Sequence, residues 1–284
     1  MPLIATFWDV QHGSATWLHM PNGENIVIDL GIGSINNGQA TFRPLEYMRR
    51  RRGVDRLDAL IVSHPHKDHI GDIANAERLR PRVLRRPRLS AHEIRQGNPK
   101  DKDTPELARY LAFDRRYSTP VAASPLSRER GDGVTIQTFT PTRCPPSNLN
   151  NRSVVTVVEY AQSKLLIPGD NEDPSWQELL ERADFRKAIR GTDVLVAAHH
   201  GRQAGFCAEL FDLIRPKLTV ISDGPAPTAA TAKYKAVTTG WKTFYRRGGS
   251  ERRFCLTTRR DNDVVIELGR GHDRPYLKAT TGQY

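Results

Sequence analysis

The residues of this chain best suited to chemistry lie in one short segment, His64-x-His66-x-Asp68-His69. The segment follows the apolar residues 57–62, which predict a buried strand. Three imidazoles and one carboxylate within six positions supply the nitrogen and oxygen ligands that zinc and manganese accept. In a strand-to-helix turn, His64 and His66 point to one side and Asp68 and His69 can point to an adjacent one. The segment therefore favours two metal ions over one.

Two further segments put metal-ligand side chains directly after an apolar strand. Asp170 follows Gly169 and residues 165–167, and a carboxylate after a glycine can approach two metals closely and bridge them. Taken alone, Gly-Asp is also an ordinary turn. His199 and His200 follow the apolar residues 194–198 and precede Gly201. Together the three segments supply enough imidazoles and carboxylates for a dinuclear centre.

Short strands interleaved with helices position these segments. The pattern predicts strands over residues 3–9, 15–19, 25–29, 57–63, 134–139, 154–160, 164–167, 193–198, 218–222, 254–258 and 263–268. It predicts helices over residues 42–52, 176–189, 208–214 and 233–241, and one near 104–113. Two sheets with helices outside them, an αββα sandwich of the α/β class, is the economical architecture. We expect one domain over residues 1–284, with an arginine-rich cover region at about 78–130.

The charge of the chain favours a phosphate-bearing partner. The net charge is +11, and residues 41–130 hold 21 Lys and Arg against 12 Asp and Glu. Arginine has a planar fork that suits phosphate, and a basic surface concentrates polyanions. A protein that simply uses arginine on its solvated faces would give the same pattern.

Composition and termini favour a cytoplasmic protein. The hydrophobic fraction of 38% is typical of a globular domain. No apolar run approaches the roughly 20 residues that cross a bilayer, and no signal peptide is evident, so we expect no membrane association. Cys144, Cys207 and Cys255 are too widely spaced for a metal knuckle and odd in number, which is typical of free thiols in a reducing compartment.

Six motifs occur in a recognisable order: FWDVQHGSA at 7–15, IDLG at 28–31, LIVSHPHKDHIGD at 60–72, NNRSVV at 150–155, LIPGD at 166–170 and DVLVAAHHG at 193–201. In order and spacing they resemble the metallo-β-lactamase superfamily. The resemblance is strongest to the C-terminal hydrolase domain of the DNA-uptake channel ComEC and its stand-alone relatives. Gln11 and Ser14 depart from the family's usual glycine and aspartate. The third-motif histidine of the superfamily is missing, as in the ComEC-like group.

The resemblance implies two divalent ions, zinc or manganese. The implied ligands are His64 and His66 for one ion and Asp68, His69 and either His199 or His200 for the other, with Asp170 bridging both. A hydroxide bridging such ions has a lowered pKa and attacks phosphorus or a carbonyl. Catalytic roles are therefore expected for Asp68, Asp170 and His200.

Other residues are expected to support the ions or the substrate. Asn150, Asn151 or water would complete the ion that lacks its third histidine, and Asp29 would hydrogen-bond a ligand histidine. The expected substrate contacts are imidazole or cationic side chains near the site or in basic segments: Lys67, His12, Arg85, Arg86 and Arg259.

The fold alone does not name the substrate, because the superfamily cleaves lactams, thioesters, lactones and phosphodiesters. The basic charge and the ComEC-like resemblance favour a nuclease acting on DNA. One alternative is a phosphodiesterase for a small molecule, or another ester hydrolase. A second is a module that binds nucleic acid or a protein partner and whose metal site is incomplete.

Overall fold

A computed structural model describes residues 1–119, 121, 124–126, 133–224, 227–272 and 274–282 of the 284-residue chain. The strands in these ranges are β1 (Leu3–Phe7), β2 (Thr16–His19), β3 (Asn25–Ile28), β4 (Ile35–Asn36), β5 (Gln39–Ala40), β6 (Ala59–Ile61), β7 (Val83–Arg85), β8 (Thr135–Phe139), β9 (Val155–Tyr160), β10 (Ser163–Ile167), β11 (Val194–Val196), β12 (Leu218–Ile221), β13 (Trp241–Tyr245), β14 (Ser250–Arg253), β15 (Cys255–Thr257), β16 (Val264–Arg270) and β17 (Pro275–Thr281). The α-helices are α1 (Pro44–Arg52), α2 (Lys67–Ile70), α3 (Ile73–Leu79), α4 (Ala91–Gln96), α5 (Pro105–Arg115), α6 (Asp173–Leu180), α7 (Ala183–Ile189), α8 (Thr231–Val237) and α9 (Thr258–Asp261).

The strands form two large sheets that face each other across an apolar core. The first sheet has the order β14-β13-β17-β16-β1-β2-β3-β6-β7, and the second has the order β15-β12-β11-β10-β9-β8. Buried side chains of both sheets pack together, among them Ile28 and Ile61 from the first and Leu165 and Val194 from the second. This arrangement follows from strands that are apolar on the face turned to the partner sheet.

Helices cover the outer faces of both sheets. Leu45 of α1 and Leu107 of α5 pack in a cluster with Val27 and Leu60 of the first sheet. Trp176 of α6 and other helical residues pack in a third cluster on the second sheet. The predicted αββα sandwich is confirmed.

Parallel pairing brings the ends of the site-bearing strands together. β3 and β6 are parallel neighbours in one sheet, and β10 and β11 are parallel neighbours in the other. The carboxyl ends of parallel strands lie at the same edge of a sheet. The segments that begin at Asp29, His64, Asp170 and His199 follow these four strands within three residues of their ends.

The structure corrects several predicted elements. The helix predicted over residues 176–189 is two helices, because Arg182 between α6 and α7 has an extended backbone (φ −82°, ψ 120°). The helix predicted over 233–241 ends at Val237, and Trp241 begins a strand. Residues 209–212 form only a 3-10 turn. The strand predicted over 254–258 ends at Thr257, whose hydroxyl caps the short helix α9.

The arginine-rich cover region contains β7, α4 and α5, so the helix predicted near 104–113 is present. Within the region, residues 120, 122, 123 and 127–130 lie outside the described residues. None of the helices in the described ranges is long and apolar enough to cross a membrane.

Candidate metal centre

The first part of the site is a buried anchor beneath the histidine motif. Asp29 adopts a positive φ of 61° at the end of β3. Its carboxylate accepts hydrogen bonds from the Ser63 backbone amide at 2.7 Å and the Ser63 hydroxyl at 2.8 Å. Its Oδ2 also lies 2.8 Å from His69 Nδ1, which directs His69 Nε2 into the site. Asp29 therefore lies behind His69 rather than among the candidate ligand atoms, and its supporting role stays a prediction.

Four side chains converge in front of this anchor. Asp68, His69, Asp170 and His200 each offer one ligand atom, and these atoms all lie within 4.8 Å of one another. His200 Nε2 lies 3.3 Å from oxygens of both Asp68 and Asp170, and 3.3 Å from His69 Nε2. Two imidazoles and two carboxylates at this separation match the nitrogen and oxygen ligands of zinc and manganese sites. The donor set thus fits a divalent ion.

A second group of imidazoles lies on the other side of Asp170. His64 Nε2 is 2.8 Å from His66 Nδ1 and 3.9 Å from Asp170 Oδ2. His199 Nε2 is 3.8 Å from the same carboxylate oxygen. The Asp170 carboxylate therefore lies between the two groups of imidazoles, as a bridging ligand would.

The backbone around Asp170 and the paired histidines explains this geometry. Gly169 has a φ of 63°, and a Cβ there would lie 2.7 Å from the Ser63 Cβ, so glycine allows the close approach of the two strand ends. His199 and His200 also have positive φ angles, of 50° and 53°. Such strained backbone in non-glycine residues is found mainly at functional sites. Here it turns two adjacent imidazoles toward different parts of the centre.

The charges of the centre are strongly coupled. Burial opposes a charge on His200, yet Asp170 and Asp68 raise the pKa of His200 to about 10. Burial likewise favours a neutral Asp170, but His200 and His69 hold the pKa of this carboxyl well below its usual range. Burial lowers the pKa of His64, helped by His69 and His66, so its imidazole is neutral. Ionised carboxylates and neutral imidazoles are the forms that bind metals, so His200 would release a proton when an ion binds.

A network around Glu172 supports the remaining side of the site, and sequence reasoning missed it. Glu172 Oε1 lies 3.1 Å from His199 Nδ1, and this contact contributes most to holding the pKa of Glu172 at about 2. The amides of Asn148 and Asn150 donate to the Glu172 carboxylate at 2.9 and 3.2 Å. The sequence feature that could have identified Glu172 is its position, two residues after Asp170 in the same loop at the end of β10.

The two candidate asparagines differ. Asn151 Oδ1 accepts from the Glu172 backbone amide and the Ser175 hydroxyl, at 3.1 and 2.8 Å, so it caps the start of α6. Asn150 lines the cleft, and its Oδ1 is buried with no hydrogen-bond partner. A buried polar atom without a partner is costly and is expected to have a ligand. Asn150 therefore remains a candidate ligand, whereas the Asn151 oxygen is already used.

The centre opens into a cleft of about 630 Å³. His12 and Lys67 line it, as expected for substrate contacts. His12 Nε2 lies 3.3 Å from Asp68 Oδ2, because its loop packs closely on the motif: a Cβ at Gly13 would lie 2.6 Å from the Asp68 carbonyl oxygen. Lys100 and Arg202 add two cations to the lining, and Arg202 donates to His199 Nε2 at 3.2 Å. Sequence reasoning missed both cations, although Arg202 follows His200 by two residues.

The three other expected substrate contacts do not line this cleft. Arg86 pairs with Asp114 and donates to backbone carbonyls, so it holds the cover region in place. Arg85 is half-buried and donates to the Thr140 hydroxyl at 3.4 Å. Arg259 Nε lies 3.3 Å from the buried carboxylate of Asp223. Arg86 and Arg259 are thus paired with carboxylates of the protein, whereas Arg85 contacts a neutral hydroxyl. Contact of the three arginines with substrate stays a prediction.

Comparison with known proteins identifies the class. The chain matches the family model of the metallo-beta-lactamase superfamily over residues 8–199. It therefore belongs to this superfamily and is a metal-dependent hydrolase of that fold.

Two kinds of relative match this chain. ComE operon protein 3 of Bacillus subtilis (strain 168) is 30% identical over 181 residues, which cover 61% of this chain and 21% of that protein. The chain thus matches about a fifth of that relative's length. Among solved structures, CmlA, a diiron β-hydroxylase from Streptomyces venezuelae, has a TM-score of 0.43 at 15% identity and covers 77% of this chain and 44% of its own. The short form of human tRNase Z has a TM-score of 0.42 at 14% identity, and the match covers 76% of this chain and 91% of the tRNase Z chain.

Replacing Asp29 with asparagine is expected to weaken metal binding about 10- to 100-fold, because His69 would lose the acceptor that orients its ring. Metal affinity measured by competition with a chelator checks this. The matched control is Asp58→Asn, a carboxylate that accepts the Asn25 backbone amide on the same sheet away from the site. An affinity equal to that of the control would show that Asp29 does not position His69.

Proposed function

We propose that this chain holds two divalent ions, zinc or manganese, and hydrolyses phosphodiester bonds, with DNA as its substrate. The observation that carries the proposal is the convergence of Asp68, His69, Asp170 and His200 at the floor of a cleft lined by three cations. The metal ligands suit hydrolysis, and the cations suit a substrate whose reacting group is an anion.

In this proposal each ion has its own set of ligands. The ligands of one ion are Asp68, His69 and His200, and those of the other are His64 and His66, while Asp170 serves both. His199 Nε2 lies 3.8 Å from Asp170 Oδ2 and would stand in for the missing third histidine by exchanging the hydrogen bond from Arg202 for an ion. Asn150, with its unpartnered Oδ1, is the alternative.

Two divalent ions at this place would lower the pKa of a water molecule and stabilise charge that develops on the substrate oxygens. The protein's own residues bind and orient the substrate. Arg202 and Lys67 contact phosphate oxygens from the lining of the cleft. Asp29, Ser63 and Glu172 hold ligand imidazoles in fixed orientations, which keeps the centre preorganised.

Charge favours a nucleic acid over a neutral ester as the substrate. Lys67, Lys100 and Arg202 surround the cleft, and the chain as a whole carries a net charge of +11. Binding through phosphate contacts releases counterions and is therefore sensitive to salt. The resemblance of the sequence motifs to a DNA-uptake hydrolase domain also supports a nucleic acid as the substrate.

A small phosphodiester is the second candidate, and the cleft itself favours it. Its volume of about 630 Å³ lies within the range of small-molecule pockets, and Ile32, Ile35 and Pro99 give it apolar walls. The third reading, a binding module with an incomplete metal site, has less support. The ligand atoms of Asp68, His69, Asp170 and His200 lie close enough together to hold an ion.

Arg202→Ala is expected to raise KM about tenfold for phosphodiesters and to leave the hydrolysis of a neutral carboxylic ester unchanged, because only the phosphate carries the charge that the guanidinium contacts. Steady-state kinetics with bis(p-nitrophenyl) phosphate, a DNA oligonucleotide and p-nitrophenyl acetate check this. Arg202→Lys should recover part of the loss.

The same kinetics distinguish the candidates. Cleavage of the small diester but not of DNA would support the second candidate. Faster turnover of the neutral ester than of both diesters in the wild-type protein would contradict the phosphodiesterase proposal.

A further inference from the structure

The outer face of the hairpin β13–β14 carries a row of like charges. Lys242 on β13 pairs directly with Arg252 on β14. Lys242 precedes Thr243, whose partner on β17 is Ala279, so Lys242 also lies beside Lys278. The ammonium groups of Lys242 and Lys278 lie 5.1 and 5.9 Å from the centre of the Phe244 ring. Three exposed cations thus lie side by side across three strands.

Few acids lie beside this row. Among the described residues, no ion pair is found for these three cations. Glu267 faces Lys278 in register and offsets part of the positive charge, while its carboxylate also accepts the hydroxyl of Tyr276. Glu251 is held by Tyr245 and Arg253. Like charges directly opposite in neighbouring strands are destabilising, so an anion bound across this row would relieve a repulsion that the fold otherwise carries.

The hairpin also adds charge at the edge of the sheet where the metal centre lies. Successive strand pairings make β13 run in the same direction as β3 and β6. The turn after β13, with Arg247 exposed on it, therefore lies at the edge to which β3 and β6 deliver Asp29 and His64. Gly248 and Gly249 continue this turn with open space around them.

The distance between the hairpin and the metal centre is one that a nucleic-acid polymer could span. Six strand spacings separate β13 from β6 in the sheet order. At about 4.8 Å per spacing this is about 29 Å along the sheet, which equals roughly eight base pairs at 3.4 Å each. A single nucleotide in the cleft cannot reach the hairpin, whereas a longer nucleic acid can contact both.

We propose that Lys242, Arg252 and Lys278, with the Arg247 turn, form a second nucleic-acid contact surface that holds the polymer beyond the metal centre. This inference rests on the proposed function and adds to it a dependence on substrate length. Cations of this kind contact the backbone phosphates, so they contribute affinity and salt sensitivity without sequence preference.

The test compares two triple variants that lose the same charge. The surface variant combines Lys242→Gln, Arg252→Gln and Lys278→Gln. The control variant combines Lys187→Gln, Arg190→Gln and Arg215→Gln. The control residues are exposed and belong to the other sheet's side of the molecule. Binding to a DNA hairpin with a 24-base-pair stem is measured by fluorescence anisotropy at several salt concentrations, on an Asp170→Asn background that prevents cleavage. Cleavage of a tetranucleotide is measured in the active protein.

We expect the surface variant to bind the long hairpin about tenfold or more weakly than the control variant does. Its slope of log affinity against log salt concentration should be smaller in magnitude by about three. Its kcat/KM for the tetranucleotide should equal that of the control, which also shows that it is folded. Equal binding of the long hairpin by variant and control would overturn the inference and leave the proposed function intact. Loss of binding to phosphatidylserine vesicles, with DNA binding unchanged, would assign the surface to a membrane and overturn it too. A wild-type protein that neither binds nor cleaves DNA would overturn the proposed function itself.

Discussion

Replacing Asp170 with asparagine is expected to lower phosphodiester hydrolysis by about 10³-fold or more. The Asp170 carboxylate lies between two groups of imidazoles, with oxygens 3.3 Å from His69 and His200 and 3.9 Å from His64. An amide keeps the shape but removes the negative charge that a bridging ligand supplies to two cations. Steady-state kinetics and metal content per chain, measured by mass spectrometry, check the prediction.

Asp212→Asn is the matched control, because Asp212 is an exposed carboxylate in the 3-10 turn at residues 209–212, outside the site. It should keep full activity and metal content. An Asp170→Asn protein that keeps both ions and most of its activity would contradict the bridging role.

His200→Ala is expected to cost about 10²-fold or more in activity and to lose one ion, whereas His199→Ala should cost less. His200 Nε2 lies among Asp68, Asp170 and His69, and its Nδ1 lies 3.0 Å from the Ser222 carbonyl, which fixes the ring. His199 is further from Asp170 and its Nε2 is shared with Arg202. The same kinetics and metal analysis separate the two variants.

His19→Ala serves as a control for histidine removal, because His19 lies on β2 beside Asn25 rather than in the site. A larger loss in His199→Ala than in His200→Ala would reverse the ligand assignment. Equal metal content in both variants and the wild-type protein would remove both histidines from the ligand set.

The sequence was sufficient to predict the site's ligand segments because each follows a short apolar strand. The run of residues 57–62 identified β6, and the histidines after it are now found within reach of Asp170. The family match over residues 8–199 confirms the fold class. The end of an apolar strand and the polar residues that follow it are local features of the sequence. They can therefore be predicted without knowing which strands pair.

What escaped prediction depends on tertiary contacts. Two consecutive positive φ angles turn His199 and His200 toward different parts of the centre, and nothing in the local sequence fixes these angles. Glu172 and Arg202 became visible only when the strand-end loops were brought together. The acid partners of two of the three expected substrate arginines, Arg85, Arg86 and Arg259, could not be predicted either. Asp114 and Asp223, which pair with two of them, are distant in sequence.

Three strands near the C-terminus, β13, β14 and β17, were missed for a similar reason. β14 reads Ser-Glu-Arg-Arg, which has no apolar alternation, and it forms only because it pairs with β13 at the sheet edge. The helical pattern that seemed to run to Trp241 stops at Val237, before Gly240 with its φ of 88°. Pairing between edge strands decided the structure there, against local preference.

The most direct test is to incubate the purified protein with labelled single- and double-stranded DNA, with Mn²⁺, with Zn²⁺ or with EDTA. We expect cleavage with at least one of the metals, none with EDTA, and none in His64→Ala or Asp170→Asn protein under any condition. Folded, metal-loaded protein that leaves both DNA forms intact would contradict the proposal that this chain is a nuclease.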